Sequence, residues 1–164
     1  MHKIFLATPI VLALGTAGAT FWAVWRRMMA VQGSWNAVEF HPIVNGQVVD
    51  FKDRLGHYLK IAEVMIALAS ASLVFIPQIH GGNHPFVIAY ILILLGLCVV
   101  LSICFMVFLT RYYEGSLYGN AYTPARSAFV NSLGFTALGC FAWAYLILAL
   151  LVSLAVASGV NLKP

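Results

Sequence analysis

Four long apolar segments constrain this chain more than any other feature of its sequence. Each is long enough to cross a hydrocarbon layer of about 30 Å as an α-helix, which takes about 20 residues. Only 9% of the 164 residues are charged, whereas a soluble domain has about 25%. The sequence therefore predicts a single all-α domain, an integral membrane protein with a four-transmembrane-helix bundle. The predicted spans are residues 4–25, 61–79, 85–110 and 127–158.

The first apolar segment has two interpretations. Ala17-Gly18-Ala19 has the small-x-small form of a signal-peptide cleavage site. However, the apolar run continues past this point to Trp25, where aromatic and basic residues indicate an aqueous interface. We therefore predict a retained transmembrane helix.

The first connection, residues 26–60, contains a hairpin signal. Asn45-Gly46 separates two short apolar-alternating runs, and this dipeptide adopts the positive φ angles of a tight hairpin turn. His41-Pro42 shortens the first run, so an irregular loop on the membrane surface is the alternative.

An amphipathic extension is predicted to lead into the second span. Asp50 is a suitable N-cap residue. One apolar stripe follows at helical spacing, and it consists of Phe51, Leu55, Tyr58 and Leu59. A continuous helix over 50–79 is about 45 Å long and exceeds the hydrocarbon core, so its first turns are expected on the cytoplasmic side.

The boundaries of the last two spans follow from proline. Pro85 suits the first position of the third helix, and Thr123-Pro124 forms a cap and first residue for the fourth. Between them, 111–126 is predicted to be a loop, with Gly115 and Gly119 as turn formers.

Small residues are concentrated in the first two spans. Such residues let a second helix approach closely in a membrane, so we predict packing faces there. They are Ala13, Gly15, Ala17, Gly18 and Ala19 in the first span and Ala67, Ala69, Ser70 and Ala71 in the second.

The distribution of Lys and Arg predicts the orientation. Seven lie on the side of the two charged connections, and two, Lys3 and Lys163, lie on the other. Since cytoplasmic loops are rich in Lys and Arg, both termini are predicted outside and loops 26–60 and 111–126 in the cytoplasm. The expected location is the inner membrane of a bacterium. The net charge of +4 reflects this orientation and does not indicate a nucleic-acid partner.

The two charged segments, 50–63 and 111–126, hold the candidate site for a ligand or partner. Glu63 is the one acidic residue within a span, and such a residue is a functional-site hypothesis with a partner to be found. The candidate partners are Lys60, Arg111 and Arg126. The alternative is an interfacial Glu63 that snorkels and pairs only for packing. The candidate docking residues are Arg54, His57, Glu63, Arg111, Tyr112, Tyr113 and Arg126.

Tyrosines beside the arginines of the second charged segment have two interpretations. With Arg111 and Arg126 they can clasp an anion, since guanidinium groups provide charge and phenols provide hydrogen bonds. Alternatively, they form an ordinary aromatic belt at the membrane interface, which needs no ligand.

No catalytic or cofactor motif accompanies these residues. His80 and His84 are a pair without a further ligand nearby, and metal sites need three or four. Cys98, Cys104 and Cys140 lie in apolar runs and are predicted to be buried thiols. No histidine lies at mid-span to ligate haem. We therefore predict no metal, no catalytic residue and no cofactor of the chain's own, and leave open bound lipids or pigments carried by a complex.

The chain resembles the MAPEG family of glutathione-dependent membrane enzymes. The resemblance lies in four spans within about 160 residues, a long charged first loop and the sequence RYYEGSLY after the third span. Where that family has closely spaced Arg, Asn and Glu, this chain has RLGHYLKIAE, without Asn. The resemblance implies a trimeric enzyme with glutathione-binding roles for Arg54, Glu63, Arg111 and Tyr113.

Three functional classes follow from these patterns. The first is a non-catalytic structural or accessory subunit of a larger membrane complex, such as an energy-transducing one. The second is a MAPEG-like enzyme that uses glutathione or a lipid, and the third is a homo-oligomeric pore or membrane effector. The absence of catalytic motifs favours the first. The expected partners are the lipid bilayer and other membrane subunits or further copies of the chain.

Overall fold

Four long helices account for nearly all of the computed structural model. It describes residues 2–32, 43–44, 47–48, 51–78, 85–117 and 124–157, and their side chains over 7–30, 55–77, 85–115, 125–154 and 156–157. In order, the elements are α1 (His2–Gln32), β1 (Ile43–Val44), β2 (Gln47–Val48), α2 (Phe51–Phe75), a 3₁₀ turn (Ile76–Gln78), α3 (Pro85–Leu117) and α4 (Pro124–Ala157).

Each helix contains a stretch that is long and apolar enough to cross a membrane. These stretches are Ala7–Ala30, Leu55–Phe75, Pro85–Gly115 and Ala125–Leu154. The prediction of four such helices is confirmed. Their outward surfaces are apolar as well: Val11 is 66% exposed and Leu154 is 66% exposed. Large apolar side chains face outward along every helix, which is compatible with a multi-pass membrane bundle.

Proline sets three helix boundaries. Pro85 and Pro124 are the first residues of α3 and α4, as predicted, because proline has no N–H and the first helical turn needs none. In α2, Pro77 disfavours α conformation at the preceding residue, and the α-helix ends at Phe75 with a 3₁₀ turn. The predicted continuous helix to residue 79 is therefore too long.

Two helices continue beyond the predicted ends of their spans. α1 runs to Gln32 and α3 runs to Leu117, so the segments assigned to loops after residues 25 and 110 begin as helix. Gly115, predicted to form a turn, lies inside α3. A single helical glycine costs only about 1 kcal/mol relative to alanine, so it need not end the helix.

The hairpin prediction is confirmed by the pairing of β1 with β2. The strands are antiparallel, with Ile43 opposite Val48 and Val44 opposite Gln47. This register leaves two residues between the strands, as in a tight hairpin. Asn45 and Gly46 themselves lie outside the described residues.

The beginning of α2 agrees with the predicted stripe in part. Leu55 is buried and Leu59 is half-buried, whereas Tyr58 is 47% exposed. The apolar stretch of α2 begins at Leu55 rather than at residue 61. An amphipathic extension on the cytoplasmic side stays a prediction.

α3 is the central helix of the bundle. It contacts α1, α2 and α4, and α4 also contacts α1. Within the described residues α1 and α2 make no contact, because they lie on different sides of the α3–α4 pair. Large buried side chains of α3, which include Ile91, Leu94 and Leu95, fill the space that small residues on the other helices leave free. Those small residues are Ala13, Ala17, Ala69, Ala137 and Ala144.

The predicted small-residue faces are only partly used within the chain. Ala13, Ala17 and Ala69 are buried in the core, as close packing requires. The remaining small residues of α1 and α2 face outward: Gly15, Gly18, Ala19, Ala67, Ser70 and Ala71.

Hydrogen bonds join the helices in the half of the bundle that lies away from Arg111 and Arg126. Tyr145 Oη of α4 lies 2.6 Å from Ser72 Oγ of α2 and donates to the Leu68 carbonyl at 3.3 Å. Tyr90 of α3 donates to Thr16 Oγ1 of α1 at 3.4 Å.

At the other end of the bundle, Phe129 of α4 contacts Trp25 of α1 and Phe108 of α3. Leu55 of α2 clusters with Leu109 of α3. The starts of α2 and α4 therefore lie at the same end of the bundle as the later turns of α1 and α3.

Candidate functional site

A cavity of about 390 Å³ opens at the charged end of the bundle, between the last turns of α1 and α3 and the first turns of α4. Its walls combine two arginines with aromatic rings. They are Trp25, Phe108, Arg111, Tyr112, Ala125, Arg126, Phe129 and Val130. We call this the arginine cavity.

A cluster of aromatic rings forms the apolar wall of the arginine cavity. Phe129 is its centre, since Phe21, Trp25 and Phe108 all meet it edge to face. The centroid distances are 5.9, 6.3 and 5.4 Å respectively, within the range in which such pairs are attractive. The cluster joins three helices by ring contacts, so packed aromatic side chains form one side of the cavity.

Two guanidinium groups provide the charge of the arginine cavity. Arg111 and Arg126 are both exposed, and neither forms an ion pair or hydrogen bond with any residue whose side chain the structure describes. By contrast, Arg26 at the same end of the bundle lies over the Trp22 ring, 5.3 Å from its centroid, which is a cation–π arrangement.

The outward surface of α2 is the second polar feature. It consists of residues at helical spacing that all point away from the bundle, opposite the buried Leu55, Ala62, Met65 and Ala69. We call it the outer α2 face, and its members are Gly56, Lys60, Glu63, Ala67 and Ser70. A Cβ at Gly56 would meet nothing within 4 Å.

Glu63 lies further from the start of the apolar stretch of α2 than a span that begins at residue 61 implies. Leu55 belongs to one cluster with Leu109 and Val130, which places the start of the apolar stretch level with the residues beside Arg111 and Arg126. Glu63 follows Leu55 by about 12 Å along the helix axis. The apolar stretch therefore begins before residue 61, the predicted start of the second span.

A groove of about 200 Å³ separates α2 from α4. Ser102 and Phe105 of α3 lie at its base, and Asn131 lines it from α4. Asn131 donates to Ser127 Oγ at 3.4 Å. Phe105 packs so closely on α4 that a Cβ at Gly134 would lie 2.9 Å from its ring.

The structure brings together three of the seven predicted docking residues. Arg111, Tyr112 and Arg126 line the arginine cavity. Tyr113 lies on the other side of α3, against the cluster of Leu55, Leu109 and Val130. Glu63 is exposed on α2, about two turns after Leu55. His57 is exposed on α2, and the side chain of Arg54 lies outside the described residues.

Sequence reasoning missed the aromatic wall. Trp25 was interpreted only as an interface marker, and Phe108 and Phe129 were interpreted as span residues. One sequence feature could have indicated the aromatic wall: each of these residues lies within one helical turn of an arginine.

Metal and thiol sites add no further feature in the described part of the chain. No group of three or more His, Cys, Asp or Glu gathers there. Cys98 and Cys140 are buried free thiols, as predicted, whereas Cys104 is a half-buried one. His41, His80 and His84 lie outside the described residues.

These features define a class: a bundle of four helices long enough to span a membrane, with a cationic cavity at one end. No family model, curated protein or solved structure matches this chain.

Proposed function

We propose that this chain is a non-catalytic subunit of a larger membrane assembly and that the outer α2 face contacts another subunit. The observation that supports this proposal is the position of Glu63. It is exposed, about 12 Å along α2 from the start of the apolar stretch.

An uncovered Glu63 is unfavourable in a bilayer. A carboxylate at the centre of a transmembrane helix costs about 2.5–3.5 kcal/mol or more. A glutamate side chain is too short to reach the headgroups from this depth, whereas Lys60 lies one turn closer to them and has a long side chain that can. Contact with a polar or basic group of a partner removes this cost.

Small residues beside Glu63 allow such a partner to come close. Ala67 and Ala71 are four apart and both exposed on α2, which is the small-xxx-small pattern of tightly packed transmembrane helices. The proposed partner is therefore a transmembrane segment with a basic or hydrogen-bonding side chain at the depth of Glu63.

Membrane insertion itself is part of the proposal. The apolar outward surfaces of all four helices support it. Seven of the nine Lys and Arg residues lie on the side of the two charged connections, which supports it as well. By the positive-inside rule the arginine cavity faces the cytoplasm and both termini lie outside. The proposed location is a bacterial inner membrane.

The test is the size and composition of the native complex. The tagged chain is extracted from native membranes in mild detergent and analysed by native electrophoresis and native mass spectrometry. We expect a complex much larger than the 17.9 kDa chain that contains a different membrane polypeptide. Glu63→Leu is expected to release the chain from this complex.

The matched control is Glu114→Leu, which removes an exposed carboxylate near the end of α3. It is expected to leave the complex intact. A wild-type chain that migrates alone contradicts the proposal, and so does a complex built only from copies of this chain, which supports the homo-oligomeric alternative.

The enzyme alternative gains no support from the geometry of the described residues. Of the four residues that the MAPEG resemblance implies, Arg111 and Tyr113 lie on different sides of α3, and Glu63 is deeper than both. Neither the arginine cavity nor the groove between α2 and α4 is lined by Glu63 or Tyr113.

A further inference from the structure

We infer that the arginine cavity binds the anionic headgroup of a membrane amphiphile, with a phosphate or carboxylate between Arg111 and Arg126. The inference rests on the proposed membrane insertion but not on the proposed partner of α2. The cavity and the outer α2 face lie on different helices, so each can be tested without the other.

The charge of the cavity is suited to an anion. Arg111 and Arg126 line the same space from α3 and α4, and no carboxylate in the described part of the chain pairs with either. The nearest acidic residue on α3, Glu114, is exposed one turn beyond Arg111. Two guanidinium groups present several N–H donors to one oxyanion, an arrangement that Arg forms better than Lys.

The shape of the cavity is suited to an amphiphile rather than to a free anion. Apart from the two arginines and Tyr112 the lining is mainly apolar, and Phe108, Phe129 and Val130 lie on the side nearer the middle of the bundle. The volume of about 390 Å³ is in the range of small-molecule sites, about 300–1,000 Å³. The headgroup therefore lies between the arginines, and the first part of the acyl chain lies along the aromatic wall.

The competing explanation is an ordinary interfacial arginine belt, which every anionic lipid attracts without a site. Arg27 distinguishes the two. It is exposed at the same end of the bundle, on α1, and does not line the cavity. If the arginines form a belt, substitution of Arg27 weakens lipid binding as much as substitution of Arg111 or Arg126. If Arg111 and Arg126 form a site, substitution of Arg27 has a much smaller effect.

The experiment uses the full chain in micelles of an uncharged detergent, titrated with phosphatidylglycerol that has brominated acyl chains. Bromine quenches tryptophan fluorescence, and Trp25 lies in the cavity wall. Brominated phosphatidylcholine is the zwitterionic probe, and inorganic phosphate is the free-anion probe. The variants are Arg111→Gln, Arg126→Gln and the control Arg27→Gln, each with its helical content checked by circular dichroism.

We expect saturable quenching by phosphatidylglycerol with a Kd about tenfold lower than that for phosphatidylcholine. Arg111→Gln and Arg126→Gln should each raise this Kd about tenfold, or 1.4 kcal/mol, and Arg27→Gln should change it less than twofold. Trp25→Phe should remove most of the saturable quenching, and Trp143→Phe, on the middle of α4, should not.

Three results would overturn the inference. They are equal affinities for the two lipids, an equal loss in Arg27→Gln, and displacement of phosphatidylglycerol by inorganic phosphate at a concentration equal to that of the lipid. The last result would indicate a site for free anions.

Discussion

The hydrogen bonds of Tyr145 provide the most specific stability prediction. Tyr145 Oη lies 2.6 Å from Ser72 Oγ and donates to the Leu68 carbonyl at 3.3 Å, so when it donates to the carbonyl it accepts from Ser72. These bonds join α2 directly to α4, two helices that otherwise touch little. The perturbation is a double-mutant cycle of Tyr145→Phe and Ser72→Ala.

The expected loss of stability follows from the two hydrogen bonds of Tyr145. Hydrogen bonds between membrane helices contribute about 0.6 kcal/mol on average and about 1.7 kcal/mol at most. Tyr145→Phe loses both bonds but keeps the ring contact with Phe141, whose centroid is 4.5 Å away. We therefore expect the free energy of unfolding to fall by about 1 kcal/mol in Tyr145→Phe and by about 0.5 kcal/mol in Ser72→Ala. The coupling energy between the two substitutions should be about 0.5 kcal/mol.

The assay is reversible unfolding in mixed micelles by titration with sodium dodecyl sulfate, followed by circular dichroism. Tyr90→Phe is the control, because its single bond to Thr16 Oγ1 is long, at 3.4 Å, and its loss should cost less than that of Tyr145. If the effects of Tyr145→Phe and Ser72→Ala were simply additive, the assigned bond between them would be refuted.

Three further predictions concern other parts of the molecule. Gly134→Ala places a Cβ 2.9 Å from the Phe105 ring, whereas a Cβ at Gly96 meets nothing within 4 Å. In the same unfolding assay the Gly134→Ala variant should be less stable than the Gly96→Ala variant by about 1–3 kcal/mol. Equal stabilities would contradict the close packing of Phe105 on Gly134. Alkaline phosphatase fused after Pro164 in a bacterial host should be active and a green fluorescent protein fusion at the same site dark; the reverse pattern would contradict the proposed orientation. Calorimetry should detect no glutathione binding, while binding that Arg111→Ala abolishes would support the MAPEG-like alternative.

Much of the fold could be predicted because its signals are local. Runs of apolar residues predict helices that cross a membrane, and Pro85 and Pro124 begin α3 and α4 because of their own chemistry. Asn45-Gly46 predicts the β1–β2 hairpin in the same way. Helix ends were less predictable, since interfacial residues end an apolar run without ending the helix, as Arg111 and Gly115 within α3 illustrate.

The candidate site depends on contacts between helices, which periodicity alone does not give. The sequence indicates that Arg111 and Arg126 lie at one end of the bundle, but only the packing of α1 on α4 brings Trp25 into the same cavity. Likewise, Glu63 was recognised from its place in an apolar run. Its distance from the start of the apolar stretch depends on the packing of Leu55, which lies in one cluster with Leu109 and Val130.

The central claim, that another subunit covers the outer α2 face, is tested most directly by photo-crosslinking in native membranes. A benzophenone amino acid is placed at Val64, which is 52% exposed beside Glu63, or at Val107 on α3, which is 49% exposed. We predict that position 64 gives a discrete adduct with a different membrane polypeptide, that Glu63→Leu reduces it, and that position 107 gives lipid adducts alone. Lipid adducts alone at position 64 would contradict the claim.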